Sequence, residues 1–194
     1  MPKIVDPDDR RADLAAAAAR LIATVGLDNV RLKDVAAEAG WTTGALTHYF
    51  PDKRSLLVMA MTTSLDQLQG RKETAVGADG DEFRWLLEQA LPLDEERIRH
   101  WRVTLTLIVQ SWSDPELNEI KLKAFRRWRR RIVTLLAEGQ KSGRFLPDLD
   151  PEETADETIA VVDGVATLAV FDPDRWPAER QLAFLDRHLA RISC

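Results

Sequence analysis

The hydrophobic positions of this chain recur at helical spacing through most of its length. Between residues 8 and 25 they follow the steps of an amphipathic helix, at Leu14, Ala17, Ala18, Leu21 and Ile22. Gly26 and Gly40 stand at the ends of two such stretches, where glycine commonly closes a helix because it reaches positive φ without strain. Asp-Pro pairs at 114–115 and 150–151 indicate two helix starts, each an N-cap followed by a proline in the first turn.

This pattern predicts an all-α fold of about nine helices, with no convincing strand. The expected helices are 8–25, 32–39, 43–50, 51–69, 81–91, 94–112, 115–142, 151–171 and 177–192. The segment 75–81, AVGADGD, is the most loop-like stretch and the plainest hinge. We expect an N-terminal domain of three short helices, residues 1–54, followed by a larger helical bundle, residues 55–194.

Composition narrows the class of protein. The chain has 194 residues, of which 45% are hydrophobic and 30% charged, as is typical of a soluble globular protein. No apolar run reaches the roughly 20 residues that span a bilayer, and the N-terminus lacks an apolar signal core. The single cysteine, Cys194, excludes a disulfide framework and a thiolate metal site. We therefore expect a cytoplasmic protein without membrane contact.

Nothing in the sequence indicates an enzyme. The histidines, His48, His100 and His188, lack metal-ligand spacing, and there is no glycine-rich phosphate loop and no nucleophile elbow. A pair of catalytic carboxylates stays open as an alternative in this acidic chain, although no pair stands out. We expect no metal, no cofactor and no catalytic residue.

The charge of the chain argues weakly against a nucleic-acid partner. The net charge is −5, whereas DNA binding needs clustered cations. Residues 1–54 contain eight Lys or Arg and eight Asp or Glu, so this part of the chain is neutral. Any DNA-binding function must therefore rest on a local arrangement of residues.

One such arrangement is the segment GWTTGALTHYFPDK, residues 40–53, in which Trp41 to Phe50 carry no charged side chain. Two short helices joined by AGWT form a helix-turn-helix, with Thr42 as the N-cap of the second helix. That helix turns Leu46 and Phe50 inward. Its opposite face carries Thr43, Gly44, Thr47 and His48.

An uncharged face of this kind fits the edges of DNA bases. Hydroxyl groups donate and accept hydrogen bonds, and small side chains allow a helix to enter the major groove deeply. Arg31 and Lys33 at the start of the first short helix, and Lys53 after the second, suit contacts to phosphates. The alternative is a helical hairpin in an ordinary bundle, with His48 and Tyr49 facing solvent or hydrogen-bonded in the core.

The segment VRLKDVAAEAGWTTGALTHYFPDKRSLL resembles the DNA-binding segment of TetR-family transcriptional repressors, over about residues 10–57. The positions in register are Val35-Ala36, Ala39-Gly40, Thr42, Gly44, Leu46, Tyr49-Phe50, Lys53 and Leu56. By this resemblance, Thr43, Gly44 and Ala45 occupy the base-reading positions. Tyr49 and Lys53 occupy phosphate-contacting positions.

Three residues depart from the family's pattern. Thr47 stands where tyrosine is usual, so a phosphate contact or a stacking group is missing or replaced by a shorter hydroxyl. Arg31 replaces a capping threonine, a cap typically worth about 1 kcal/mol, and would gain a contact to the DNA backbone in exchange. Trp41 stands where valine is common, and either packs at the turn or touches the edge of the groove.

The chain after residue 80 is similar to the C-terminal domains of the choline/betaine-regulator type, in phrases such as LDEERIRHWRVTL and LDPEETADETIAVVDGVATLAVFDPDRWP. The resemblance implies a pocket lined by the central helices, a homodimer built from the last two, and a small-molecule effector that lowers DNA affinity. The candidate pocket residues are Trp101, Thr104, Leu105, Ile108, Trp112, Phe125, Trp128 and Asp163.

Alternatives stay open for this region. Tryptophans at helical spacing are commonly core, and Asp163 would pair with an arginine of helix 115–142 or line the subunit contact. Tryptophans beside a buried carboxylate would instead suit a cationic ligand. The basic segment KLKAFRRWRRR, residues 121–131, predicts a solvated face paired with acidic side chains, with an anion site or a patch facing the DNA backbone as the alternative.

The last two predicted helices are apolar on more faces than one domain should cover. The candidate dimer contacts are Ile159, Val162, Val165, Leu168, Leu182, Leu185 and Leu189. Ala160, Gly164 and Ala166 would permit close helix approach. Two copies packed as a four-helix bundle would bury this surface through a self-complementary contact, whereas burial inside a monomer is the competing interpretation.

The sequence therefore predicts a sequence-specific DNA-binding transcriptional regulator, most simply a ligand-responsive repressor. A dimer would place two recognition helices in successive major grooves, roughly 34–36 Å apart, on a near-palindromic operator in double-stranded DNA. A helical adaptor or a small enzyme without DNA binding is the alternative.

Overall fold

The computed structural model describes residues 7–50, 52–56, 58–60, 62–63 and 81–194, leaving aside the side chains of residues 7–11 and of His48. The helices with defined bounds are α1 Pro7–Val25, α2 Leu32–Glu38, α3 Thr43–Tyr49, α4 Glu82–Gln89, α5 Glu95–Ser111, α6 Pro115–Lys141, α7 Pro151–Phe171 and α8 Ala178–Ile192. Residues 53–56, 58–60 and 62–63 are also helical. Over these ranges the chain forms no β-strand, and the prediction of an all-α fold is confirmed.

The predicted caps account for several helix boundaries. α1 ends before Gly26, whose φ of 76° few other residues adopt readily. The Asp150 carboxylate accepts hydrogen bonds from the backbone amides of Glu152 and Glu153, with Pro151 in the first turn of α7. Because such caps satisfy amides that have no partner inside the helix, the Asp-Pro signal located the start of α7 correctly.

The chain divides into two compact units. The first comprises Met1–Gln69 with Arg102–Ile120, and the second comprises Gly70–Trp101 with Lys121–Cys194. The predicted domains, 1–54 and 55–194, follow a different division and stay a prediction about function. Residues of α5 and α6 belong to both units, so neither helix can be assigned to one unit as a whole.

The first unit packs α1 against α2 and α2 against α3. Its buried core includes Leu14, Ala18, Ile22, Val35, Leu46 and Phe50, together with Leu56, Ala60, Val103, Leu107 and Leu117. The last three of these residues come from α5 and α6. The three short N-terminal helices therefore share their core with later parts of the chain.

In the second unit α7 packs against α8, and α4 also packs on α8. This packing corrects the predicted dimer contacts. The chain itself buries most of them, with exposed fractions of 9% or less for Ile159, Val162, Val165, Leu185 and Leu189. Leu182 is half-buried, and only Leu168, at 46%, is exposed. Helical spacing identified apolar residues correctly but did not distinguish the face toward the chain's own core from an outer face.

A buried histidine connects α7 and α8. His188 is 7% exposed, and its Nε2 lies 2.8 Å from the hydroxyl oxygen of Thr158, which itself donates to the carbonyl of Thr154 at 2.7 Å. Since the only hydroxyl proton of Thr158 is committed, His188 Nε2–H must be the donor. Burial lowers the pKa of His188 below its ordinary value of 6.5; nearby Glu157 opposes that shift, and Arg191 adds to it. The fold therefore favours neutral His188.

We expect this histidine to make stability depend on pH. Because the pKa is lower in the folded state, its contribution is fully present above about pH 6.5 and is lost as the pH falls through the folded pKa. His188→Gln keeps a donor toward Thr158 and removes the titration, so its free energy of unfolding should vary less. Denaturant unfolding of both proteins from about pH 5 to about pH 8 measures this difference. Parallel pH profiles would contradict the assignment.

Candidate nucleic-acid interface

The turn between α2 and α3 is closed by Gly40. Its φ is 73°, its amide donates to the Ala37 carbonyl at 3.1 Å, and the amide of Trp41 donates to the Ala36 carbonyl at 2.7 Å. These two bonds form a Schellman motif, which satisfies the last carbonyls of a helix. The half-buried Trp41 side chain packs against the core of the first unit. Packing thus accounts for Trp41, while its contact with the edge of a groove stays a prediction.

α3 is held by a cap at one end and by two buried side chains. The Thr42 hydroxyl oxygen accepts a hydrogen bond from the amide of Ala45 at 3.2 Å, which confirms Thr42 as the N-cap. Leu46 and Phe50 are 0% and 2% exposed. Because both apolar side chains point into the core, the rotation of α3 about its own axis is fixed.

The opposite face of α3 is open to solvent. Thr42, Thr43, Gly44 and Thr47 are exposed, whereas Ala45 and Tyr49 are half-buried. A Cβ added at Gly44 would meet no atom within 4 Å, so the fold itself does not require glycine there. The Thr47 hydroxyl donates to the Gly44 carbonyl at 3.0 Å. The side chain of His48 lies outside the described residues, and its place on this face remains a sequence prediction.

The cations that were predicted to contact the DNA backbone are Arg31, Lys33 and Lys53, and their surroundings differ. Arg31 occupies the N-cap position of α2 without a side-chain capping bond, as its departure from the family's threonine predicted, and both Arg31 and Lys33 are exposed. Lys53 Nζ donates to the Asp28 carbonyl at 3.2 Å. This bond holds the Lys53 ammonium beside the short 3-10 helix Leu27–Asn29, which precedes α2.

Asp52 caps the start of the following helix. Free backbone amides at a helix start generally favour an anion. Here the Asp52 carboxylate accepts a hydrogen bond from the amide of Ser55 at 2.6 Å, and this bond is the main cause of a lowered pKa for Asp52. The carboxylate therefore already supplies the negative charge that this helix start attracts.

Sequence reasoning missed the partner of Arg54. The Arg54 guanidinium donates to both carboxylate oxygens of Asp114, at 2.7 and 2.9 Å, and to Glu116 at 2.7 Å. Asp114 also caps α6 by accepting from the amide of Glu116 at 3.0 Å, and its pKa falls to about 2, chiefly through the bonds from Arg54. The sequence identified Asp114 as a cap, but nothing local could predict a partner 60 residues away.

Two family descriptions match this chain. Residues 14–60 match the bacterial regulatory proteins of the tetR family, and residues 81–193 match the C-terminal part of BetI-type transcriptional repressors. The chain belongs to the TetR family. It is a transcriptional regulator, which sets aside the enzyme alternative, and the family resemblance found in the sequence is confirmed.

Two relatives match most of the chain. BetI of Burkholderia thailandensis is 31% identical over 85% of this chain and 84% of its own length. PksA of Bacillus subtilis is 28% identical over 99% of this chain and 94% of its own length. Both are helix-turn-helix transcriptional regulators.

Solved structures agree with the fold. A transcriptional regulator from Saccharomonospora viridis, crystallised in complex with choline, superposes with a TM-score of 0.86 at 26% identity, covering 96% of this chain and 99% of that one. A transcriptional regulator from Rhodococcus has a TM-score of 0.77 at 30% identity, with coverage of 94% and 95%.

The predicted pocket residues of this TetR-family chain fall in both compact units. In the first unit Thr104, Leu105 and Ile108 are half-buried. Trp112 is 82% exposed, because α5 ends at Ser111, so the predicted apolar stripe stops before it. In the second unit Trp101 is 8% exposed and donates its indole N–H to the Ala90 carbonyl at 2.7 Å, while Phe125 and Trp128 are half-buried. A pocket formed by these residues stays a prediction.

Asp163 lies near a cation of α6. The negative charge of Asp163 raises the pKa of Lys121, but burial of the Lys121 ammonium lowers that pKa more strongly. The sequence left an arginine of this helix, the subunit contact and a cationic ligand as alternatives for Asp163, and the structure identifies Lys121 as a cation close enough to interact. Over the described residues, no group of three or more His, Cys, Asp or Glu side chains is arranged to hold a metal ion.

The basic segment 121–131 behaves mainly as a solvated face. Ile132 is fully buried on the inner side of α6, whereas Arg129 pairs with Glu152 and Asp156, and Arg131 pairs with Glu82. Pairing with acidic neighbours, as the sequence predicted, is confirmed for these two arginines. Among the helices described, none is both long enough and apolar enough to cross a membrane.

Proposed function

We propose that this chain is a ligand-responsive repressor that binds a near-palindromic operator in double-stranded DNA as a homodimer and acts in the cytoplasm. The observation that carries this proposal is the exposed, uncharged face of α3, with Thr43, Gly44 and Thr47 above buried Leu46 and Phe50. Glycine and small side chains allow a helix to approach the base edges in the major groove closely, and hydroxyl groups can form hydrogen bonds with those edges.

The proposed DNA contacts fall into two groups. Thr43, Gly44 and Ala45 would read bases, as the family resemblance implies, with His48 added on the sequence alone. We assign contacts with the duplex backbone to Arg31, Lys33, Thr42, Tyr49 and Lys53, and a contact with the edge of the groove to Trp41. Phosphate contacts fix the register on DNA and supply salt-dependent affinity, whereas base contacts supply specificity.

Lys53→Ala is expected to weaken binding to every duplex and to reduce the slope of log affinity against log salt by about one unit per protomer. The lost ammonium no longer displaces a counterion. Fluorescence anisotropy at several salt concentrations measures the slope, with Lys141→Ala as the control because Lys141 is an exposed lysine of the second unit.

Thr43→Ala should instead change base preference and leave the slope of log affinity against log salt unchanged. Parent-like binding by both variants would remove the recognition-helix assignment.

The proposed dimer rests on the outer face of α7. Leu168 is 46% and Phe171 is 77% exposed, and Ala160 and Gly164 continue this face at helical spacing. A Cβ at Gly164 would meet nothing within 4 Å, so a second helix could approach closely there. Large exposed apolar side chains on a regular helix commonly mark a protein contact. A second copy of the same face, related by two-fold symmetry, would cover them.

The C-terminal region is proposed to bind a small molecule that lowers DNA affinity. The candidate contacts are Trp101, Thr104, Leu105, Ile108, Phe125, Trp128 and Asp163, with Trp112 at the exposed end of the series. Choline is the ligand of the Saccharomonospora viridis regulator, so choline and betaine are the first compounds to test. Release of operator DNA by either compound at millimolar concentration would support a cationic effector. No release would exclude this class of effector.

A further inference from the structure

The hydroxyl proton of Thr47 already forms a hydrogen bond within the protein. Thr47 lies on the exposed face of α3, one turn beyond Thr43, and its Oγ1 donates to the Gly44 carbonyl at 3.0 Å. A hydroxyl group has one hydrogen and two acceptor lone pairs. Toward an incoming molecule, Thr47 therefore offers an acceptor without giving up any existing bond.

Thr42 has the opposite capacity. Its oxygen accepts a hydrogen bond from the amide of Ala45 at 3.2 Å, and this capping bond leaves the hydroxyl proton free to donate. A phosphate oxygen only accepts hydrogen bonds, so it matches Thr42 and does not match Thr47. The geometry thus disfavours the alternative in which Thr47 replaces the family's longer tyrosine as a phosphate contact.

We propose that Thr47 is a specificity-determining residue whose hydroxyl oxygen accepts a hydrogen bond from an exocyclic amino group in the major groove. In that groove only adenine and cytosine present amino groups, at N6 and N4, whereas guanine and thymine present acceptors. The inference rests on the proposed function, because it requires α3 to lie in the groove.

The preference follows from the hydrogen bonds that Thr47 would gain or lose with each base. An amino group adds a bond to Thr47 while the bond to Gly44 stays intact. A guanine or thymine oxygen needs a donor, so Thr47 would have to break the bond to Gly44 first. One net hydrogen bond corresponds to roughly a fivefold preference for adenine or cytosine at one position of each half-site.

The test uses the full-length protein and an operator selected from random duplex. Each base pair is then changed in turn, and affinities are measured for the parent, Thr47→Val and Thr47→Ser. Thr47→Val keeps the shape and removes the acceptor, so it should lose the preference at one position per half-site, whereas Thr47→Ser should retain it. Thr134→Val is the matched control, because the exposed Thr134 hydroxyl also donates to a helix carbonyl, that of Arg130, at 2.9 Å.

Base analogues make the test sharper. Purine in place of the preferred adenine, or 2-pyrimidinone in place of cytosine, removes only the amino group at that position. This change should weaken the parent roughly fivefold and leave Thr47→Val unaffected.

Three results would overturn the inference. Thr47→Val could keep the parent's preference at every position, or its changed position could carry guanine or thymine toward α3. Thr47→Ser could lose the preference as well, which would mean that the hydroxyl oxygen alone does not set it. A parent protein that selects no duplex at all overturns the proposed function itself, which distinguishes the two failures.

Discussion

A chain carrying Leu168→Glu and Phe171→Glu is expected to fold but to remain monomeric, and to bind its operator about 10²–10⁴-fold more weakly than the parent. Two linked recognition helices bind one operator with an avidity that neither has alone. Both substituted side chains are exposed, at 46% and 77%, so the glutamates should cost the fold little in the monomer. In the proposed dimer they would bring like charges together inside an apolar contact.

Light scattering gives the oligomeric state of this variant, and anisotropy gives its affinity for the full operator and for one half-site. Val109→Glu is the matched control, since Val109 is 55% exposed but lies on α5 in the other compact unit. The control should stay dimeric. Ala160→Glu, on the same face of α7, should act in the same direction as the double variant. A dimeric double variant with parent-like affinity would contradict the proposed contact.

Gly44→Leu is expected to keep the fold and the dimer but to lower operator affinity by about 100-fold or more. In the free protein a side chain at this position enters open space, since a Cβ would meet nothing within 4 Å. Leucine is also a better helix former than glycine, so stability should rise by roughly 0.5–1 kcal/mol. In the complex, the added side chain would hold α3 away from the bases.

Substitutions of increasing size at Gly44 distinguish this effect from misfolding. Gly44→Ala adds one methyl group and should lose less affinity than Gly44→Leu, while thermal unfolding of both variants should match or exceed that of the parent. Parent-like operator binding by Gly44→Leu would mean that this face of α3 does not enter the groove.

Local signals predicted the helix-turn-helix well. Glycine at 40, a capping threonine at 42 and apolar residues at 46 and 50 each act over a single turn, so neighbouring residues suffice to identify them. The structure has all of these features, with Leu46 fully buried and Thr42 bonded to the Ala45 amide. The same logic placed the start of α7 at Asp150-Pro151.

The outer face of α7 could not be predicted in the same way. Its helix is apolar on several sides, and spacing alone does not say which side the chain covers with its own residues. Ile159 and Val162 pack inside the chain, whereas Phe171, which the sequence analysis did not select, is 77% exposed. Choosing between these faces requires the three-dimensional packing of α7 against α8.

Long-range polar partners were also beyond the sequence. Arg54 bonds to Asp114, and Lys53 bonds to the Asp28 carbonyl, across 60 and 25 residues respectively. Contacts of this kind carry no periodic signal, because many acidic side chains and backbone carbonyls in the chain are equivalent partners until the fold selects one. For Lys53 this matters to function, since the bond to the Asp28 carbonyl positions the ammonium and uses one of its three N–H donors, which leaves two for a phosphate.

The uncharged face of α3 is proposed to read the bases of duplex DNA. The most direct test is selection by the full-length parent protein from a pool of random duplexes at low ionic strength. Base reading by a dimer should enrich two inverted half-sites whose centres lie roughly one helical turn, 34–36 Å, or a multiple of it apart. Recovery of sequences indistinguishable from the starting pool would contradict it.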